Sequence, residues 1–152
     1  GGDFLFYHEG MTSAIGKAVE ALDRERLSLG KALGLSNMRS LRDQDIAWYG
    51  HQGVFGNNVH ETSVNNPIYR WSKAPSILDH RYLTEDVPYG LVPVESLGRW
   101  AKVKTTVTSA LIDLACVVLE RDLRAAGRTL ERLGLSFATL EELRRVVDES
   151  GV

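Results

Sequence analysis

The chain has 152 residues, 43% of them hydrophobic and 25% charged, enough for one ordinary globular domain with a sizeable core. Its 18 basic and 20 acidic residues are interspersed and leave a net charge of −2, so neither a nucleic-acid footprint nor an acidic disordered tail is indicated. No apolar stretch reaches the ~20 residues needed to span a bilayer, and no basic-then-apolar leader opens the chain, so the sequence predicts neither a membrane segment nor a secretory signal.

The opening run from Gly1 to Tyr7 is apolar and aromatic with no initiating Met. It reads like the start of a domain excised from a longer chain. Residues 4–7 are the best strand candidate, and an isolated one. A long helix is predicted over 12–33: Ile15, Ala18, Val19, Leu22 and Leu29 repeat on one face, Thr12 or Ser13 caps the start, and Gly34 follows as a left-handed C-cap. A capping serine, Ser36, opens the next segment, in which Leu41, Ile46, Trp48 and Tyr49 line a shorter helix. Residues 53–68 carry Gly53, Gly56, four asparagines and Pro67, and read as loop. A helix over 77–86 must end near Val87, because Pro88 follows. A short helix over 94–101 and a long, near-continuously apolar one over 105–126 come next, the second as a buried central helix broken by Gly127. Helical pieces at 129–133 and 139–148 complete an all-α reading of five to seven helices. Gly134 is the C-cap between these pieces, and Thr139 is the N-cap of the second.

The single cysteine, Cys116, lies inside the apolar run 110–119 and reads as a buried, inert thiol, since reactive thiols need exposed, electropositive surroundings. A reducing cytoplasm is compatible with it. No strand leads into a Gly-rich phosphate turn and a helix, so no dinucleotide site of that kind is encoded here. The four histidines, His8, His51, His60 and His80, have no metal-ligand spacing, and no Ser-His-Asp or Cys-His signature occurs. Trp48, Trp71 and Trp100 read as core or interface residues.

Ionisable residues concentrate at 79–86: Asp79, His80, Arg81, Thr84, Glu85 and Asp86. The Arg81 guanidinium is a planar fork suited to gripping a carboxylate through two parallel hydrogen bonds. Asp86 lies about one and a half helical turns further on, a ligand-sized distance. A solvated helix face carrying a salt bridge is the plain alternative for these residues. The second candidate is the run from Phe6 to Thr12, with Tyr7 and Glu9 beside a permissive Gly10; a chain entry packed on the domain is its plain alternative.

Four blocks together resemble a known family. They are Phe6-Tyr7-His8-Glu9-Gly10-Met11-Thr12, then Asp23-Arg24-Glu25-Arg26, then His80-Arg81-Tyr82-Leu83-Thr84-Glu85-Asp86-Val87-Pro88-Tyr89-Gly90-Leu91-Val92-Pro93, and Gly127-Arg128-Thr129-Leu130-Glu131-Arg132-Leu133-Gly134-Leu135. In this order, over 3–136, they resemble the C-terminal domain of the octopine/nopaline (opine) dehydrogenases, and the block around Arg81 is the most specific. The resemblance implies an all-α domain of the 6-phosphogluconate dehydrogenase C-terminal-like type, occupying 1–152 and normally preceded by a Rossmann domain that this chain lacks. It implies reductive condensation of an amino acid with a 2-oxo acid using NAD or NADP, with no cofactor expected on this chain alone. Arg81 would hold a substrate carboxylate, and Asp86 would complete a His–Asp pair whose histidine lies upstream of residue 1. Glu85 and Tyr7 are further candidates for substrate binding, whereas His80 is not promoted to the base. The partners expected are the two substrates, the missing nucleotide-binding domain and, as one assembly, a second copy; no metal, nucleic acid or membrane is expected. A non-catalytic helical interaction module is the rival from another class, and a ketopantoate reductase-like or glycerol-3-phosphate dehydrogenase-like domain is a further one.

Overall fold

The computed structural model describes residues 2–135 and 139–149; Gly1 of the opening pair and Ser136 at the edge of the resemblance lie outside them. Among the described residues there are eight α-helices and no strand, so the all-α reading holds with more helices than the five to seven expected. The aromatic segment at 4–7 contributes only one antiparallel bridge, Leu5 to Lys73, flanked by Phe6 N–H to the Ser72 carbonyl at 2.8 Å and Ala74 N–H to the Phe4 carbonyl at 2.9 Å. Among the described residues no helix is long and apolar enough to cross a membrane.

Helix α1, Ser13–Ala32, is the backbone of the fold. The Thr12 side chain caps it by accepting from Ile15 N–H, and Gly34 takes the left-handed conformation expected of it. Its buried Gly16 lets α3, Val59–Val64, approach closely: a Cβ there would lie 2.8 Å from the Cβ of His60. That helix sits inside the stretch read as loop. Asn58 explains it, since its side chain accepts from Glu61 N–H and starts a helix that the glycines and asparagines around it conceal. Helix α2, Leu41–Tyr49, is capped by Ser40 rather than Ser36. It runs into a 3-10 turn at Gly50–Gln52.

Three further expectations are corrected. The helix ending near Val87 does not end there: a short α4, Arg81–Thr84, passes through a π turn at Val87–Leu91 straight into α5, Val92–Trp100. Pro88 is accommodated at the start of that turn, where an N–H is dispensable. The long helix over 105–126 is two. Helix α6, Thr106–Leu119, stops at Glu120 in a left-handed conformation (φ +51°), and α7, Leu123–Ala126, restarts with Asp122 as its cap. Residues 129–133 form a turn, and the last helix, α8, spans Leu140–Glu149.

The core lies where these pieces meet. Val87, Val92, Ile112, Ala115 and Leu123 are buried together, with Leu83, Leu91, Cys116 and Leu119 packed around them. Each aliphatic side chain so buried contributes about 1.5–3 kcal/mol. Helix α6 buries Thr108, Ile112 and Ala115 but exposes Leu114, Val117 and Val118, so it is central on one face only. Cys116 is half-buried, not buried, and its sulfur accepts the Leu123 N–H at 3.4 Å. Trp48 and Trp71 are exposed rather than core.

Candidate active site

The charged turn at 79–86 is built from its first residue. His80 caps α4, its Nδ1 accepting the Tyr82 N–H at 3.3 Å, so the ring is committed to holding the helix start. Asp79 is held outside that start by two bonds from Arg121, at 3.0 and 2.8 Å, which fasten the loop to the end of α6. Arg81 follows, its guanidinium reaching Glu85 at 3.5 Å across one helical turn with both side chains more than half exposed. This is the weak, solvent-screened pair foreseen as the plain alternative, and it leaves most of the guanidinium's donors free.

Asp86 is exposed at the entrance of the π turn, and among the described residues no hydrogen bond or ion pair reaches its carboxylate. Directly after it, Val87 is buried in the core. The polar turn is therefore anchored by the apolar residue beside it, which fixes the Asp86 backbone while its carboxylate is left unpaired. No ion pair joins Arg81 to Asp86 among the described residues.

Tyr7 reaches this turn through aromatic contacts. Phe6 lies 5.0 Å from the Tyr7 ring and 5.2 Å from that of Tyr82, and Tyr7 itself stacks on Tyr69 at 4.4 Å and 22°. Tyr49 meets Tyr69 edge-on at 6.1 Å. Burial pushes the Tyr7 phenol above its ordinary pKa, and the neighbouring Tyr82, Asp45 and Asp86 add to the shift. Tyr69 is pushed up to about 12 by burial, by its bond with Tyr49, and by Asp45 and Tyr7. Both phenols thus keep their protons and remain hydrogen-bond donors throughout the physiological range. Asp45 of α2 is buried, and its carboxyl is pushed up by that burial, which a 3.3 Å bond from the Thr62 hydroxyl only partly offsets.

Of the four residues named from the sequence, Arg81 pairs with Glu85, Asp86 follows them in the chain, and Tyr7 lies within electrostatic reach of Asp86. Tyr49, Tyr69 and Asp45 were not foreseen. Tyr49 reads only as part of the lining of a short helix, Tyr69 lies in a stretch with no periodic signal, and Asp45 looks like any charge on a short helix. No group of three or more metal-ligating side chains occurs among the described residues.

The family model for the NAD/NADP octopine/nopaline dehydrogenase alpha-helical domain matches residues 1–119. The chain belongs to that family. Similar proteins include the opine dehydrogenase of Arthrobacter sp. (strain 1C), 38% identical over 148 residues, covering 97% of this chain and 40% of that protein. A vitopine synthase of Allorhizobium ampelinum is 35% identical over 133 residues, covering 88% of this chain and 36% of that protein. This octopine/nopaline dehydrogenase-type domain also superposes on the solved octopine dehydrogenase in complex with NADH and L-arginine, with a TM-score of 0.76 at 21% identity, over 94% of this chain and 41% of that one. The octopine dehydrogenase structure with NADH and agmatine gives 0.73 at 20% identity, over 90% and 40%. The chain thus spans about 40% of the length of the relatives it matches.

Those two structures hold NADH, and the described residues here do not fit that cofactor. A dinucleotide site of the usual kind needs a parallel sheet with a Gly-rich turn at its edge, and these residues supply one isolated bridge.

Proposed function

We propose that this chain is the substrate-side domain of an NAD(P)-dependent opine dehydrogenase, an oxidoreductase acting on CH–NH donors in the cytoplasm that condenses an amino acid with a 2-oxo acid. The observation that carries this reading is the unpaired Asp86 carboxylate on an anchored turn beside a largely free Arg81 fork. Hydride supply and nucleotide binding belong to a domain outside these 152 residues, and the residues of this chain bind, orient and hold charge.

Arg81 grips a substrate carboxylate with two of its parallel N–H groups, drawing off the weak Glu85 contact as it does so. Glu85 is then released toward the cationic amino group of the amino acid. The protonated Tyr7 phenol donates to a substrate oxygen from the other side. Fixing two reactants in this way lowers the barrier by several kcal/mol through orientation alone. Asp86 accepts from a histidine supplied by the remainder of the enzyme, which sets that ring's tautomer and stabilises its protonated form, so that it can take or give the proton of the condensation.

Two variants of the whole enzyme test this assignment. Arg81→Lys keeps the charge and loses the fork, so KM for one substrate rises while kcat changes little. Asp86→Asn keeps the shape and loses the charge, so kcat falls about a hundredfold with a displaced pH profile and an unchanged KM for the cofactor. Native kinetics in both variants would return the turn to a plain solvated salt-bridge face. The 152-residue chain alone should show no heat of NADH or NADPH binding in calorimetry, and stoichiometric binding there would overturn the division of labour.

A further inference from the structure

The π turn carries a backbone problem whose solution lies 35 residues away in sequence. In π geometry each N–H donates to the carbonyl five residues back, and Val92 N–H does so to Val87. The next donor in that register would be residue 93 to the Pro88 carbonyl, but residue 93 is proline and has no N–H. The Pro88 carbonyl is not left empty: Arg128 N–H donates to it at 2.9 Å. In an ordinary α register Val92 would serve Pro88, and the carbonyl orphaned by Pro93 would be that of Tyr89 instead. Pro93 therefore removes one bond in either register, and only the π register sets the orphan against Arg128.

Gly127 makes that contact geometrically available. It is buried, and a Cβ on it would lie 2.6 Å from Val92 Cγ1 and 2.8 Å from the Pro88 oxygen itself. Any side chain at 127 would push the 127–128 backbone off the turn. The Arg128 guanidinium lies 5.0 Å over the Tyr89 ring, a second attachment of the same segment to the same turn. The stake is large for a single backbone bond, because a one-residue change of helical register rotates everything before it by about 100° relative to everything after it. Val92 is buried in the core and cannot rotate. Val87 and Leu83 pack in the same core ahead of the turn, so a change of register would drag them out of place and re-aim Arg81, Glu85 and Asp86 with them.

We propose that Gly127 and the Arg128 backbone N–H are positioning residues of the reaction, a clamp that holds the π register and thereby aims Arg81 and Asp86. This rests on the reading of those two residues given above, and the tests below separate the two.

In the whole enzyme, Gly127→Ala should lower kcat at least tenfold and displace the pH profile in the direction of Asp86→Asn, leaving KM for the cofactor unchanged. Hydrogen exchange at the Arg128 amide should accelerate. Pro93→Ala, which keeps the packing and restores an N–H, gives the α register a regular set of bonds. It should reproduce the same changes in milder form, a several-fold loss of kcat with no fall in Tm, and it decides the matter if Gly127→Ala does not fold. Native kcat, KM and pH profile in Pro93→Ala, with the Arg128 amide as protected as before, would overturn the clamp. If Asp86→Asn is itself silent, the site assignment fails, and Arg128 exchange in the two variants still reports on the clamp alone.

Discussion

Two charged regions of this domain border the same core, and they treat their charges in opposite ways. Around α6 the carboxylates of Glu25, Glu95 and Asp113 are all engaged. Glu25 of α1 accepts from Val107 N–H at 2.7 Å, from Thr108 N–H at 2.9 Å and from the Thr108 hydroxyl at 2.7 Å, so it caps the start of α6 from a neighbouring helix. At its other end Arg124 makes two 2.8 Å bonds to Glu95 and a third to Asp113 at 2.5 Å. On the 81–86 turn the reverse holds: one loose contact at 3.5 Å, and an aspartate with no partner among the described residues. Charge that is fully matched maintains a fold, while charge left unmatched on a rigid support is available to a ligand.

The largest expected effect breaks the matched side. Arg124→Met leaves Glu95, whose side chain is only 10% exposed, with Arg99 at 3.6 Å as its remaining cation. Removing one partner of a buried pair costs about 3 kcal/mol, and the contact with Arg99 should hold this loss nearer 2, roughly a 5 °C fall in Tm. A double variant with Glu95→Leu should recover most of it. The Arg124 guanidinium holds the Glu95 carboxyl below its ordinary pKa. The stability it supplies is therefore complete above the ordinary glutamate range and is lost as pH falls through the lowered native value. Melts between pH 7 and 3 should show that acid-side loss in the native chain and a flatter curve in Arg124→Met.

Glu25→Ala comes next. It takes three accepted bonds from the α6 N-terminus and a negative charge from the positive end of that helix, worth about 1–2 kcal/mol together. On the unmatched side the stability effects should nearly vanish. Arg81→Lys and Asp86→Asn are each expected to shift stability by less than about 0.5 kcal/mol, whatever they do to turnover. A Tm lowered by several degrees in either would place the turn with the structural set and erase the contrast.

How far the sequence discloses this contrast depends on the range of the signal. Helix α1 is legible because periodicity, the Thr12 cap and Gly34 agree within 23 residues. The start of α6 is not, since its cap comes from Glu25, more than 80 residues earlier. Its end is hidden too, for Glu120 adopts a left-handed conformation with no glycine to announce it. Pro88 misleads as a helix stop, because the π turn places it where no N–H is needed. At the candidate site, Arg81, Glu85 and Asp86 stand out in the sequence as a dense charged block, and Tyr7 through its aromatic neighbourhood. The stack of Tyr7 on Tyr69 and the approach of Asp45 depend on how α2 and the loop after α3 pack, which no local spacing encodes.

Asp45 is the residue on which the two regions can be compared within a single side chain, and its expected effect is the smallest. It is as buried as Glu95, at 7% exposure, yet among the described residues no cation pairs with it, and the Thr62 hydroxyl donates to it at 3.3 Å. Burial raises its native pKa above that of the unfolded chain. For an acid this means that the native state holds the proton more tightly. Stability then falls as pH rises from the unfolded value through the raised one, and stays reduced at neutral pH. Asp45→Asn has the same shape, still accepts from Thr62 and carries no charge, so it should melt higher at pH 7, by about 1 kcal/mol or roughly 3 °C. The gain should shrink as pH falls through the raised native value, because the native carboxyl then takes up its own proton. If Asp45→Asn melts lower than the native chain at neutral pH, the carboxylate is holding the fold and belongs with Glu25 and Glu95. If it melts higher, the charge is kept at a cost beside Tyr7 and Tyr69, and the effect of the variant on KM for the proposed amino acid substrate of the whole enzyme will show whether the candidate site is what it is kept for.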